Sequence, residues 1–259
     1  EITTRLVGSE MCIRDRNAIE THGLTKAYKG VNAVNSLNLS VERGELFSLL
    51  GINGAGKTTT IKLLSCLIRP TCGDAALMGN SIVRSPNKVK AIINVSPQET
   101  AVAPNLTAEE NLRLICGIYG YTKRAAKEKA DAAIARFGLE RIARSRAKIL
   151  SGGWQRRLSI AMALISEPEV LFLDEPTLGL DVLARRELWG VIDSLKGKTT
   201  IMLTTHYLEE AEALSSRIGI MSDGNLAAVG TAYELMKAAG RDSFEDAFVE
   251  LCIKRGRVS

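Results

Sequence analysis

Nothing in this 259-residue chain is apolar for long enough to cross a bilayer. The longest unbroken apolar run, Ile160 to Ile165, has six residues, whereas a spanning helix needs about 20. The charged-then-apolar pattern of a secretory leader is also missing from the start. Histidine is scarce: His22 and His206 are the only 2, which argues against a histidine-rich zinc site. The 5 cysteines are odd in number and contain no Cys-x-x-Cys pair. That excludes a disulfide framework and fits a reducing cytoplasm. No internal repeat and no low-complexity segment breaks the chain. What remains is ordinary for a folded protein: 46% apolar, 24% charged and a net charge of +5. A chain of this length makes one large or two small domains and buries about 70–75% of its unfolded surface, so no staple is required.

The chain opens on Glu1 rather than Met, and the run Glu10 to Arg16 follows neither helical nor strand periodicity. Residues 1–16 therefore read as a non-native or disordered leader, resembling translated sequencing adapter. Regular patterning starts at Asn17. Leu46-Phe47-Ser48-Leu49-Leu50 is a short buried-strand run, followed by helical spacing through Ile61, Leu64 and Ile68 that Pro70 is expected to stop. Val170–Leu173 and Thr200–Leu203 are two more such strands, and strands separated by helices predict a mostly parallel sheet. Between Glu99 and Lys148 the texture becomes helical. Thr107-Ala108-Glu109-Glu110 is a capping box, and Leu112, Ile115, Cys116 and Tyr119 recur at helical spacing behind it. Residues 123–148 carry nine basic and three acidic side chains. This excess reads as a solvated helix surface, with a face toward anionic lipid or another partner as the alternative.

Gly51-Ile52-Asn53-Gly54-Ala55-Gly56-Lys57-Thr58 fits G-x-x-x-x-G-K-[ST] between a strand and a helix. Its glycines let successive N–H groups converge on phosphate oxygens, and the helix start adds positive potential. Lys57 is then placed for the β and γ phosphates and the Thr58 hydroxyl for Mg²⁺, with Thr59 following in the first helical turn. A chance match in a chain of this length is on the order of a percent. Strand Val170–Leu173 ends in Asp174-Glu175, and paired acids at the end of a buried strand imply a cation or a catalytic task. Asp174 suits the Mg²⁺ sphere. Strand alternation puts Glu175 on the opposite side, where it takes a proton from an attacking water. Together the motifs predict a nucleoside triphosphate hydrolase.

Leu150-Ser151-Gly152-Gly153 then opens an amphipathic helix. With it the chain resembles an ATP-binding cassette (ABC) ATPase from residue 17 to about 237. The resemblance implies an α/β P-loop NTPase core with a mostly parallel sheet, an N-terminal antiparallel β portion and an inserted α-helical subdomain. Residues 17–98 and 150–237 would form the core, 99–149 the helical subdomain and 238–259 a C-terminal tail. It also implies roles. Ser151, Gly152 and Gly153 match the family signature, and Tyr28 the aromatic that stacks on adenine. Gln98 matches the glutamine that senses Mg²⁺ and the lytic water, and His206 the histidine at the γ-phosphate. Gly179-Leu180-Asp181 matches the loop that touches the opposite subunit. One position departs: Trp154 stands where the family usually has Gln or Met, which bears on the packing beneath the signature and on turnover. Asp242 to Phe248 resembles a tail of the bacterial drug- and polysaccharide-exporting branch. The implied ligands are ATP and Mg²⁺. The implied partners are a second cassette, expected to be an identical chain, and an integral-membrane permease. The chain would then be peripheral at the cytoplasmic face of the membrane and would bind no nucleic acid. The alternative, suggested by a pI near 9.0, is a soluble ABC-type ATPase acting on nucleic acid or ribosomes. A degenerate regulatory cassette is disfavoured by intact Lys57, Asp174, Glu175 and His206.

Overall fold

The computed structural model describes residues 16–256, so all of the 1–16 leader except Arg16 lies outside the described residues. The chain first makes a long hairpin, β1 (Asn17–Tyr28) and β2 (Val31–Glu42). Lys29 and Gly30 both have positive φ at its two-residue turn, which matches the right-handed strand twist. The central strand β3 (Leu46–Leu50) leads through the glycine-rich loop into helix α1 (Lys57–Leu64). Strands β4 (Cys72–Leu77) and β5 (Asn80–Ser81) complete a four-stranded antiparallel sheet in the order β2-β1-β4-β5. Helix α2 (Pro86–Ile92) and strand β6 (Ile93–Ser96) precede the helical stretch, α3 (Ala108–Ile118) and α4 (Lys123–Phe137). Then come α5 (Gly152–Leu164), β7 (Val170–Asp174), α6 (Val182–Asp193), β8 (Thr200–Thr205) and α7 (Leu208–Leu214). Strands β9 (Arg217–Ser222) and β10 (Asn225–Gly230), with helices α8 (Ala232–Ala239) and α9 (Phe244–Gly256), end the fold.

The second sheet runs β10-β9-β3-β8-β7-β6. All its pairings are parallel except the edge pair of β10 with β9. Every residue of β3, β7 and β8 is buried, as expected of parallel strands covered on both faces. Strand alternation divides the core. Leu171 and Leu173 of β7 join one cluster with Leu112 and Cys116 of α3, Ile134 and Phe137 of α4, and Leu158 and Ala161 of α5. Val170 and Phe172 join the other, with Phe47, Leu49, Ile61 and the antiparallel-sheet residues Ile19, Leu24 and Leu37. Each large apolar side chain buried this way contributes about 1.5–3 kcal/mol. A third cluster seats α7, α8 and α9 on Leu50, Ile218 and Ile220.

The capping box holds as read: the Thr107 hydroxyl accepts from Glu110 N, and Glu110 accepts from Thr107 N. The stripe behind it ends sooner than its spacing suggests, since Tyr119 is exposed. Helix α1 is also shorter than expected, ending at Leu64 rather than running to Ile68. The Ser65 hydroxyl bonds back to Ile61 O, and Cys66 turns to φ +57. A left-handed residue ends the helix before Pro70 is reached. On α4 the basic residues lie on an exposed face, where Arg124–Glu128 and Lys127–Asp131 pair at i,i+4. The described cysteines, Cys66, Cys72, Cys116 and Cys252, are all free. No helix among the described residues is long and apolar enough to cross a membrane.

Candidate functional site

The loop from Gly51 to Gly56 takes its shape from backbone that only glycine tolerates. Gly54 has φ +85 and Gly56 φ +103. A Cβ on Gly56 would lie 2.3 Å from the Ala33 carbonyl oxygen, and one on Gly51 would lie 2.5 Å from that of Met221. The loop is thus clamped between β2 and the end of β9. It opens α1, whose first turn carries no acidic residue to oppose an anion. Lys57 is the first helical residue, and its ammonium donates to Gly51 O (2.7 Å) and Ile52 O (3.1 Å). Buried to 5% exposure, it lies 3.3 Å from Glu175 Oε1.

Asp174 ends β7, and its Oδ1 accepts from Thr58 Oγ1 at 3.1 Å and from Thr204 Oγ1 at 2.6 Å. Among the described residues, this buried carboxylate forms no ion pair and is held by the two hydroxyls. Glu175 corrects the sequence expectation. The strand has already ended, and Glu175 adopts φ +48, so strand alternation no longer governs where it points. Its N–H is shared between Thr204 O (3.1 Å) and Thr204 Oγ1 (3.0 Å), which holds the left-handed turn. The two carboxyl groups therefore converge on consecutive residues, Asp174 on Thr58 and Glu175 on Lys57. From the other side, His206 Nδ1 meets Glu175 Oε2 at 2.5 Å, and its ring lies 4.1 Å from that of Tyr207.

Lys57, Glu175 and His206 line one open cleft of about 320 Å³, together with Ala33, Asn53, Gly54, Ala55, Gly56, Thr58, Thr59, Gln98 and Leu178, and Asp174 stands behind this lining through Thr58. The glycine cradle, the buried ammonium and the hydroxyl–carboxylate pair suit a polyphosphate with a hard cation, which takes oxygen ligands. A second carboxyl group, that of Glu175, stands at the same place. The comparisons with known proteins agree. Residues 34–178 match the family model described as ABC transporter. The chain is 42% identical, over 86% of its length, to the daunorubicin/doxorubicin resistance ATP-binding protein DrrA of Streptomyces peucetius, and covers 68% of that protein. It is 41% identical to the probable multidrug ABC transporter ATP-binding protein YbhF of Escherichia coli, over 90% of this chain and 41% of that one. The chain belongs to the ABC transporter family.

It is an ATP-binding cassette of that family and an ATPase. A solved structure described as the ATP-binding subunit of an ABC transporter overlays on it with a TM-score of 0.79 at 31% identity, covering 90% of this chain and 99% of that one. A dimeric cassette bound to ADP and Pi, MJ0796, overlays at 0.73 with 27% identity, over 82% of this chain and 98% of that one. A shorter match, over residues 147–210, is to an AAA-domain model.

Not every residue singled out from the cassette's sequence meets in the cleft. Tyr28 is 47% exposed at the end of β1 and is not among the cleft-lining residues. Ser151 and Gly152 are exposed at the start of α5, which also lies apart from the cleft lining. Ser151 occupies the N-cap position, yet its hydroxyl accepts no bond from the first turn. Gly153 packs on α6: a Cβ there would come 3.0 Å from Ala184 Cβ. Asp181 caps α6 by accepting from Leu183 N and Ala184 N, leaving Val182 and Leu183 exposed. Trp154 is half-buried against the helical cluster, with the Arg157 guanidinium 4.7 Å from its ring centre.

Three contributors to this region were missed from the sequence. Thr204 props both carboxyl residues. Ala33 brings β2 to the cleft wall. Arg156, 4% exposed, donates to Pro97 O and Gln98 O at 2.5 Å each and to Glu175 O at 3.2 Å. Thr204 continues a strand that the sequence predicts, but nothing marks it as a support, and Ala33 lies on a segment with no local signal of its own. Arg156 carried one, as a cation on the buried face of an amphipathic helix.

Proposed function

We propose that this cassette is the ATP-hydrolysing subunit of a membrane transporter that exports its cargo, and that two copies close head to tail around two ATP molecules. The observation that carries the reading is the separation of the two anion-binding helix starts. The cleft at the head of α1 holds a phosphate loop, a lysine, a carboxylate and a histidine. Ser151 and Gly152, at the start of α5, face solvent elsewhere. ATP carries about four negative charges, and a second helix start from another copy would complete the cage and exclude water. The dimeric cassette neighbour and the exposed Val182–Leu183 pair beside Asp181 are consistent with this pairing.

In this reading Thr58 and Asp174 hold Mg²⁺, with Gln98 contributing from the cleft wall. Mg²⁺ held there would supply Lewis-acid charge to the bound phosphates. Lys57 leaves its loop carbonyls to bind the β and γ phosphate oxygens. Glu175 accepts the proton of the attacking water, and His206 orients the Glu175 carboxyl and contacts the γ-phosphate. Tyr28 stacks on the base. Ser151, Gly152 and Gly153 bind the nucleotide seated in the partner's cleft. Residues 17–98 and 150–237 act as the nucleotide-binding core, 99–149 as the helical subdomain and 238–259 as a tail. The helical subdomain and the groove beside Gln98 dock on a separate permease, which places the cassette on the cytoplasmic face of the membrane. Export is supported by the drug-resistance and multidrug names of the relatives.

The test is Glu175→Gln. It leaves ATP binding intact, lowers hydrolysis by about 10²–10⁴-fold and traps an ATP-dependent dimer on size exclusion. A variant that binds ATP yet elutes only as a monomer refutes the paired reading.

A further inference from the structure

We propose that Arg156 is a positioning residue that ties the signature helix to the two segments carrying Gln98 and Glu175. Contact of Ser151 with the nucleotide of one composite site is thereby felt at the hydrolytic groups of the other. The inference rests on the paired-cassette reading above.

One buried guanidinium joins three segments that are distant in sequence. From its place on α5, five residues beyond Ser151, Arg156 donates to Pro97 O and Gln98 O, and then to Glu175 O. Each acceptor is main chain, so the side chain fixes backbone position at two residues proposed to act on the γ-phosphate. The Gln98 carbonyl belongs to the residue whose side chain lines the cleft. The Glu175 carbonyl belongs to the residue held at φ +48, whose N–H is fixed from the other side by Thr204. Arg156 and Thr204 thus grip Glu175 at opposite ends of its peptide frame. The planar fork of guanidinium reaches several acceptors at once, and a lysine ammonium on a flexible stem does not reproduce it.

Burying a cation away from water is unfavourable unless its donors and its charge are both satisfied. The carbonyls satisfy the donors. At longer range the Asp174 carboxylate favours the charged form. Beyond Arg156, helix α5 is buried along Leu158 to Leu164 and packs on the sheet. A shift at its exposed start is therefore transmitted by a rigid rod rather than absorbed. Since Ser151 and Arg156 share that rod, signature engagement and the placement of Gln98 and Glu175 move together.

The test uses the full chain with Arg156→Lys and Arg156→Gln, each also combined with Glu175→Gln. Readouts are melting temperature, ATP affinity, kcat and the Hill coefficient for ATP. The coupling predicts that kcat falls at least about 10-fold and the Hill coefficient drops from near about 2 toward about 1, because the two sites no longer report to each other. ATP affinity changes by less than about 3-fold, the Glu175→Gln dimer still forms, and Lys recovers less than half of the loss. A merely structural role lowers melting temperature and kcat together and leaves the Hill coefficient where it was; that result overturns the proposal. A Glu175→Gln chain that stays monomeric with ATP removes the paired reading and the coupling with it. A dimer with unaltered cooperativity in both Arg156 variants removes the coupling alone. Should both variants fail to fold, amide exchange in the Glu175→Gln chain with Arg156 intact decides the matter. In a mixed dimer with an unblocked Glu175→Gln chain, protection of residues 97–100 by ATP must weaken in the copy that itself carries Ser151→Arg, whose own cradle still faces an intact signature. Undiminished protection refutes it.

Discussion

Gly54→Ala and Gly56→Ala differ by one atom in the same loop, and the structure predicts very different outcomes. Both glycines have positive φ, so alanine at either position costs about 1–2 kcal/mol in backbone energy. A Cβ on Gly54 meets nothing within 4 Å, and that backbone cost is all it incurs. A Cβ on Gly56 would sit 2.3 Å from the Ala33 carbonyl oxygen and 3.1 Å from Met221 Cε. The carbonyl is part of β2 and cannot swing aside as a side-chain end would. Overpacking of this kind adds about 1–3 kcal/mol, for a total of about 2–5 kcal/mol. In a chain of this size that lowers the melting temperature by about 5–15 °C. Relief of the clash must also displace the loop from β2, so ATP binding should weaken at least about 10-fold, or about 1.4 kcal/mol. Thermal unfolding followed by circular dichroism and titration with a fluorescent ATP analogue measure both effects. If the two variants lose equal stability, or if Gly56→Ala binds ATP normally, the clamp of the loop against β2 is wrong.

Leu112→Ala removes a fully buried side chain shared by α3, α5 and the sheet, and should destabilise the chain by about 2–5 kcal/mol in urea titration. A loss below about 1 kcal/mol would mean that the helical stretch is not built on that cluster. Burial pushes the Glu210 carboxyl above its ordinary range. Its folded form therefore holds a proton that the unfolded chain releases, and this stability is present at low pH and lost as pH rises through the raised value. Glu210→Gln removes the titration, so the variant should gain stability relative to the parent as pH rises above the ordinary carboxylate range. Parallel pH profiles for the two would show that Glu210 does not titrate in this way.

The phosphate loop, the capping box at Thr107 and the buried strands were legible because each is written in contiguous residues. A glycine spacing dictates a loop, a five-residue apolar run dictates a covered strand, and Thr107 with Glu110 dictates a helix start. The ends of elements were less legible. Helix α1 stops at Leu64 because Ser65 bonds backwards and Cys66 turns left-handed, and neither residue type announces that. Glu175 looked like the next position of a strand, but Thr204, 29 residues away, holds it in a turn. That single turn decides which way a carboxylate points. Arg156 reaches Gln98 across 58 residues. Such contacts exist only once β6, β7 and α5 have packed, so the local pattern marks Arg156 as a cation on a buried helix face but not what it touches.

The central claim is that each site is assembled from two chains, and mixing two inactive variants tests it most directly. Lys57→Ala disables every cradle, and Ser151→Arg disables every signature, so neither should hydrolyse ATP alone. In a mixed dimer one site pairs both defects, while the other pairs an intact cradle with an intact signature. Mixing should therefore restore ATPase activity, up to about a quarter of the parent rate if chains exchange at random. Activity in Ser151→Arg by itself, or no recovery in a mixture shown to contain mixed dimers, would contradict the account.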